Sequence, residues 1–285
     1  MPVRPRTLLG LLTLVWAVSW PAIKIGVATV PPIWYACLRY AVATACLFGF
    51  LAVRRQVILP PRQDWALVVI SGALQMAAYS ALTAFALTIL PSGRASVLAF
   101  STPIWVVPIA AAWLRERLSL VRLFGVALGL AGALTIASPA LRTEAARDLL
   151  GYGLLLAAAA AWALSIVAVR AHRFAASPLA LAPWQMLMAG CLLFPVAAAT
   201  EGAPPSLSGA AALSIAYVGP VATAFGYWAV VEAGRRLPAS ALSMALLATP
   251  SLGILASALL LGEEIGLSLV AGAALVGVGI CLASF

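Results

Sequence analysis

The stretch from Leu90 to Gly132 occurs twice in this chain, and no fold that ignores the duplication can accommodate the sequence. The first copy runs from Leu90-Pro91 through Thr102-Pro103 to Leu114, Glu116, Leu120, Gly125, Ala127, Leu128 and Gly132. The second runs from Leu237-Pro238 through Thr249-Pro250 to Leu261, Glu263, Leu267, Gly272, Ala274, Leu275 and Gly279, with no gap between the copies. The echo extends upstream: Trp16, Ala17, Ser19 and Lys24 recur as Trp162, Ala163, Ser165 and Arg170, and Arg39 and Ala43 as Gln185 and Ala189. Two units are expected, 1–140 and 150–285.

What solvates those units follows from polarity. Of 285 residues, 64% are hydrophobic and 9% charged, too little polar surface for a globular protein in water, so most of the surface must meet lipid. Segments long enough for a hydrocarbon core, which takes about 20 helical residues, are expected at 7–29, 32–53, 65–89, 94–114 and 119–140. The second unit gives 150–170, 181–200, 210–233, 239–261 and 267–284. Strands of a membrane barrel would alternate in polarity, and these runs do not. The expected fold is an all-α membrane protein of ten transmembrane helices.

Charge sets the orientation. With a cytoplasmic N-terminus, the inside segments collect Arg4, Arg6, Arg54, Arg55, Arg62, Arg115, Arg117, Arg122, Arg170, Arg173, Arg235 and Arg236, whereas the outside loops hold Arg94, Arg142 and Arg147. The excess inside predicts both termini in the cytoplasm. Five helices per unit then force the second repeat upside down relative to the first. The ends of the shared helix agree: the first copy reads Arg115-Glu116-Arg117, basic, and the second Gly262-Glu263-Glu264, acidic. Inverted repeats are characteristic of secondary transporters, with the substrate near the midplane between them. The net charge of +9 is spread over these loops with no basic patch, so no nucleic-acid partner is expected.

The Trp16-Ala17-Val18-Ser19-Trp20-Pro21-x-x-Lys24 opening, Arg39-Tyr40-x-x-Ala43 and the duplicated Thr-Pro to Glu block together resemble the drug/metabolite transporter superfamily, specifically its EamA-type ten-helix members. The likeness covers nearly the whole chain and is most similar to bacterial amino-acid exporters, aromatic ones included. It implies a bacterial inner-membrane protein in which the first four helices of each unit surround a central cavity, with the fifth and tenth packed outside. It also implies export of small metabolites, foremost amino acids, by alternating access. Glycines at 125, 129 and 132, and at 272 and 279, let helices approach closely. They suit packing within a monomer, with a homodimer contact as the alternative.

Polar and aromatic side chains within apolar helices are candidates for the cavity wall, because lipid would leave their polar groups unsatisfied. They are Trp16, Ser19 and Trp20; Gln75, Tyr79 and Ser80; Ser101, Thr102 and Trp105; and, in the second unit, Trp162, Ser165, Tyr227, Ser243 and Thr249. Hydroxyls in membrane helices as readily bond their own backbone. Trp34, Tyr35, Trp65 and Trp184, near segment ends, read as interfacial anchors. Lys24 and Arg170 can snorkel to headgroups. Arg39 lies too deep for that and is expected to point inward, to helix-end carbonyls or a carboxylate, with direct substrate contact as the alternative. Pro103 and Pro250 are candidate hinges, since each removes a helix hydrogen bond.

Other chemistries lack their residues. Asp64, Glu116, Glu144, Asp148, Glu201, Glu232, Glu263 and Glu264 fall in loops or near helix ends, as does the single His172. Proton coupling through a buried acid is therefore not expected, and passage down the substrate's own gradient is. Efflux of cationic drugs, the alternative within the superfamily, would want an acid in the cavity. An intramembrane enzyme would need a His-Glu-x-x-His or a Ser with a nearby His, and neither spacing occurs. Cys37, Cys46, Cys191 and Cys281 stand singly and read as small buried hydrophobes. No cofactor or metal is expected, and the partners are a small-molecule substrate and membrane lipid.

Overall fold

A computed structural model of the chain describes residues 5–116, 119–143, 145–237 and 239–283; the side chains at 5–6, 142–143, 234, 239–245 and 247 are outside that description. Among the described residues all regular structure is helical, in ten stretches. α1 is Pro5–Val27 and α2 Pro32–Val53. α3 spans Arg62–Ile89 and α4 Ser92–Leu114. α5 is Leu120–Thr143, α6 Ala146–Ala171 and α7 Pro178–Thr200. α8 joins Gly209–Tyr217, Val218–Phe225 and Gly226–Arg236, α9 is Ala239–Leu261 and α10 Leu267–Ala283. α1 to α8 are long and apolar enough to cross a membrane; Ala248–Leu261 of α9 and Leu267–Ala283 of α10 are apolar but shorter. Leu120, Leu213, Leu259 and Leu267 are largely exposed, a surface that needs lipid rather than water.

Local chemistry sets the helix ends. Pro32 and Pro178 stand in the first turns of α2 and α7, where a missing N–H costs nothing. The Ser177 and Ser208 hydroxyls accept from the Ala180 and Ala211 amides and cap α7 and α8. α7 and α9 stop at Gly202 and Gly262, with φ of 81° and 66°, the left-handed conformation that glycine adopts without strain.

Three helices are irregular inside. α3 is a wide π-helix over Ser71–Ala78, and α8 over Val218–Phe225. α4 breaks into Ser92–Ala99 and Thr102–Leu114, with ψ near 0° at Phe100 and Ser101. The two prolines read as candidate hinges therefore do not stand in equivalent places. Pro103 sits in the first turn of a new helix, where it breaks no hydrogen bond, whereas Pro250 lies inside the continuous α9.

The packing is reciprocal. α1 lies along α9 and α6 along α4; α2 packs on α8 and α3 on α7; α2 meets α7, and α5 meets α10. The last pair touches backbone to backbone. A Cβ on Gly132 would lie 2.7 Å from the Gly272 carbonyl oxygen, and one on Gly279 would lie 2.6 Å from the Gly129 amide. Small residues permit this approach. Both stripes thus pack against one another within the chain.

Several side chains differ from expectation. Cys37 is buried, but Cys46, Cys191 and Cys281 are exposed. Trp34 and Tyr35 do not stand on the outer surface: both are buried, the Trp34 indole donating to the Gly202 carbonyl and the Tyr35 hydroxyl meeting that of Ser214 at 2.7 Å. Lys24 turns inward, its ammonium donating to the Leu90 carbonyl. Arg170 pairs with Glu116 at 2.6 Å.

Candidate functional site

Eight helices surround a cavity of about 250 Å³ in the middle of the bundle, close to the lower end of the range of roughly 300–1,000 Å³ typical of small-molecule sites. Helical spacing explains how each wall is made. Trp16, Ser19, Trp20 and Ile23 of α1 fall at i, i+3, i+4 and i+7, one face of a helix, and all four line the cavity. Tyr35, Ala36, Arg39 and Tyr40 of α2, at i, i+1, i+4 and i+5, also share one side of their helix and line the cavity. α3 contributes Gln75, Met76, Tyr79, Ser80 and Thr83, and α8 contributes Ala222, Thr223, Tyr227 and Val230. Phe100, Trp162, Met186 and Leu246 complete the wall from α4, α6, α7 and α9.

Aromatic rings form one chain across this space. Phe100, exposed by the break in α4, lies 6.4 Å from Trp16, 6.2 Å from Trp20 and 6.2 Å from Trp162 between ring centroids. Trp162 meets Tyr79 edge-on at 5.0 Å. Such tilted and edge-to-face pairs contribute about 0.5–1.5 kcal/mol beyond burial and hold the rings in place. The Trp16 indole donates to the Ala222 carbonyl at 2.9 Å, tying α1 to the π stretch of α8.

Polar groups are few. The Arg39 guanidinium donates through Nη2 to the Tyr40 hydroxyl at 2.8 Å and to the Ser80 hydroxyl, and lies 4.7 Å over the Tyr40 ring. The helix-end carbonyl or carboxylate expected beside it is replaced by these neutral hydroxyls. Gln75 accepts from Ser165 at 3.2 Å, and Gln185 accepts from Tyr227 at 3.3 Å.

The carboxylates are used elsewhere. Glu201 accepts from the Ile33 and Trp34 amides, Glu263 from Ser92 and Gly93, and Asp64 from His172 and the Ala175 and Ala176 amides. Glu232 pairs with Arg236. Among the described residues no group of three or more His, Cys, Asp or Glu could hold a metal ion.

The structure therefore brings together Trp16, Ser19, Trp20, Arg39, Gln75, Tyr79, Ser80, Trp162 and Tyr227. It does not bring in five other candidates. Ser101 and Thr102 donate to the carbonyls of Leu98 and Ala99, the local bonding open to any hydroxyl near a helix start. Ser165 is fully buried behind Gln75, and Thr249 is fully buried in α9. Trp105 is absent from the wall, its indole nitrogen buried without a hydrogen-bond partner. The side chain of Ser243 lies outside the described residues. Tyr35, Tyr40, Thr83 and Phe100 line the cavity without having been expected. The two tyrosines share the Arg39 stripe, a signal that was present; Phe100 is an apolar residue among apolar residues and carries none.

Comparison with known proteins agrees with this architecture. A solved crystal structure superposes with a TM-score of 0.66 over 98% of this chain and 96% of its own, at 23% identity, which establishes a shared fold. The uncharacterized transporter YoaV of Bacillus subtilis is 25% identical, covering 98% of this chain and 97% of its own. A probable terminal-alkyne amino-acid exporter of Streptantibioticus cattleyicolor is 29% identical over 90% of this chain and 84% of its own. A probable amino-acid metabolite efflux pump of Escherichia coli is 27% identical over 96% and 93%. The model of the EamA-like transporter family matches residues 7–138 and again 149–285. With apolar helices around a central aromatic cavity and a family match over both parts of its length, the chain is a multi-pass membrane protein belonging to the EamA-like transporter family.

Proposed function

We propose that this protein exports small metabolites, foremost neutral and aromatic amino acids, across a bacterial inner membrane by alternating access. The observation that carries the reading is the aromatic, mostly neutral cavity in mid-bundle, lined by helices from both ends of the chain. Flat rings suit apolar and aromatic side chains, Gln75 offers its amide, and the Ser19 and Thr223 hydroxyls, which donate to the Trp16 and Val218 carbonyls, keep lone pairs that can accept from an ammonium. Relatives named as an amino-acid exporter and as an amino-acid metabolite efflux pump point the same way.

In this reading residues 1–140 and 150–285 are two inverted units, and both termini are cytoplasmic. The reciprocal packing, α1 on α9 with α6 on α4 and α2 on α8 with α3 on α7, is what two such units would produce. Rocking one against the other would open the cavity alternately to each side. The protein acts as a carrier rather than a catalyst, and because no carboxylate lines the described cavity, substrate flows down its own gradient.

The test is uptake by proteoliposomes of a labelled amino-acid panel, with and without an imposed proton gradient. Saturable uptake of phenylalanine and leucine, unchanged by the gradient, is expected. Failure of every amino acid to exceed protein-free vesicles would overturn the substrate assignment, and gradient-driven accumulation would overturn the uncoupled mechanism.

A further inference from the structure

Arg39 is the only cavity-lining residue with a fixed charge among those described. The α9 residues whose side chains lie outside the description, 239–245 and 247, include no ionisable residue. Arg39 stands about two turns inside α2, too deep to reach a headgroup. Its Nη2 is occupied by two neutral hydroxyls, Tyr40 and Ser80, and its Nε is buried with no hydrogen-bond partner. None of the ion pairs formed by described residues includes it. Gln185, at the corresponding place in the sequence duplication, is neutral and accepts from Tyr227, so no second charge faces it.

A cation held in a low-dielectric cavity without a counter-ion is costly, and a guanidinium is the side chain shaped to hold a carboxylate through paired donors. We propose that Arg39 binds the substrate's carboxylate, and that this contact defines the substrate class as apolar or aromatic monocarboxylates, with or without an α-amino group. The substrate enters the site carboxylate towards α2, with its side chain against Tyr79, Trp162 and Phe100. No carboxylate lines the described cavity to receive an ammonium, so an amine lacking a carboxylate meets the repulsion of Arg39 with only neutral hydroxyls and ring faces to offset it. The assignment rests on the cavity being the transport site.

Three probes that share one phenyl side chain separate the possibilities: phenylalanine, 3-phenylpropionate and 2-phenylethylamine, titrated into purified protein in lipid nanodiscs and followed by calorimetry and by emission of the cavity tryptophans. Both carboxylates should bind, and the amine at least tenfold more weakly. Arg39→Gln should lose roughly 10- to 100-fold in affinity for 3-phenylpropionate, the range expected for hydrogen bonds to a charged group. Arg39→Lys, which keeps the charge, should recover part of it. The comparison of acid with amine on the unmodified protein needs no variant, so it stands even where Arg39→Gln fails to fold.

Amine binding equal to that of the acid, or unchanged acid binding by folded Arg39→Gln, would overturn the assignment. Binding of 3-phenylpropionate through Arg39 without binding of phenylalanine would remove the amino-acid reading and leave the carboxylate site standing. Phenylalanine binding indifferent to Arg39→Gln would do the reverse. Failure of both carboxylates to bind would overturn the two together.

Discussion

Replacing Glu263 by Gln tests whether its carboxylate clamps the end of α9 to the start of α4. The Glu263 carboxylate, just past α9, accepts from the Ser92 amide at 2.7 Å, the Ser92 hydroxyl at 2.8 Å and the Gly93 amide at 2.8 Å. These amides open α4, where backbone donors have no intrahelical partner and the helix dipole favours an anion. Hydrogen bonds to charged groups contribute about 1.5–3 kcal/mol and neutral ones about 0.5–1.5 kcal/mol. Gln keeps one acceptor oxygen, so two bonds lose their charge assistance and the third faces an NH2 donor. That sums to roughly 4 kcal/mol, and because Glu263 is partly exposed, solvent should return up to about half. A residual of about 2 kcal/mol shifts the equilibrium between joined and parted ends by about 30-fold. Spin labels at the exposed Thr88 and Ile265, on a cysteine-free background in nanodiscs, would report the separation. The unmodified protein should give one short distance and Glu263→Gln an added longer component. Glu264→Gln, altering the exposed neighbour, should leave the distribution unchanged. A distribution for Glu263→Gln identical to that of the unmodified protein, or an equal change in both variants, would refute the clamp.

Gly132→Leu should lower the melting temperature in detergent by an amount corresponding to at least 1–3 kcal/mol, roughly the cost of overpacking, because its Cβ meets the Gly272 carbonyl and the Val276 amide rather than side chains that can yield. Gly277→Leu on α10, the helix that packs against α5, meets no atom within 4 Å and should melt unchanged. Pro250→Ala, which restores a hydrogen bond in mid-helix, should reduce transport at equal protein levels, while Pro103→Ala, at a helix start, should transport nearly normally; proteoliposome uptake distinguishes them. Trp162→Ala should weaken uptake of aromatic more than small substrates, whereas Trp34→Ala, which removes a ring packed edge-on against Phe194 at 5.5 Å, should cost about 3–5 kcal/mol of stability with substrate preference intact, as uptake ratios and thermal melts would show.

The spans were legible because charges cannot sit in hydrocarbon: Arg54 and Arg55 mark the end of α2, and Glu263 and Glu264 the gap after α9. The cavity was legible where a polar or aromatic residue stood at helical spacing in an apolar run, as with Trp16, Ser19 and Trp20. It was not legible at hydroxyls. Ser80 lines the cavity while Ser101 bonds to Leu98, and no local feature of either sequence distinguishes a hydroxyl satisfied by its own helix from one left for a ligand. Position along the segment misled for Tyr35, whose place near a helix end suggested an anchor although it shares a stripe with Arg39. Lys24 likewise had reach enough for the headgroups, and only the tertiary packing supplies the Leu90 carbonyl that it takes instead.

The wide turns in α3 and α8 were also absent from the pattern, and they explain how one helix serves two neighbours. A π turn holds more residues than an α turn and so rotates everything beyond it about the helix axis. Near the start of the π stretch in α3, Gly72 lies so close to α7 that a Cβ would fall 2.9 Å from the Gln185 carbonyl oxygen. Beyond it, Tyr79, Ser80 and Thr83 face the cavity. In α8, a Cβ on Gly219 would fall 3.2 Å from the Arg39 carbonyl oxygen, and beyond the stretch Tyr227 and Val230 face the cavity. The hydroxyl of Thr223 reaches back five residues to the Val218 carbonyl, closing the widened turn. Each helix thus presents a glycine for close backbone contact on one side and bulky cavity groups on another. The contact at Gly219 fixes the backbone of Arg39, so the one fixed charge among the described cavity residues is positioned by the same distortion that shapes the opposite wall.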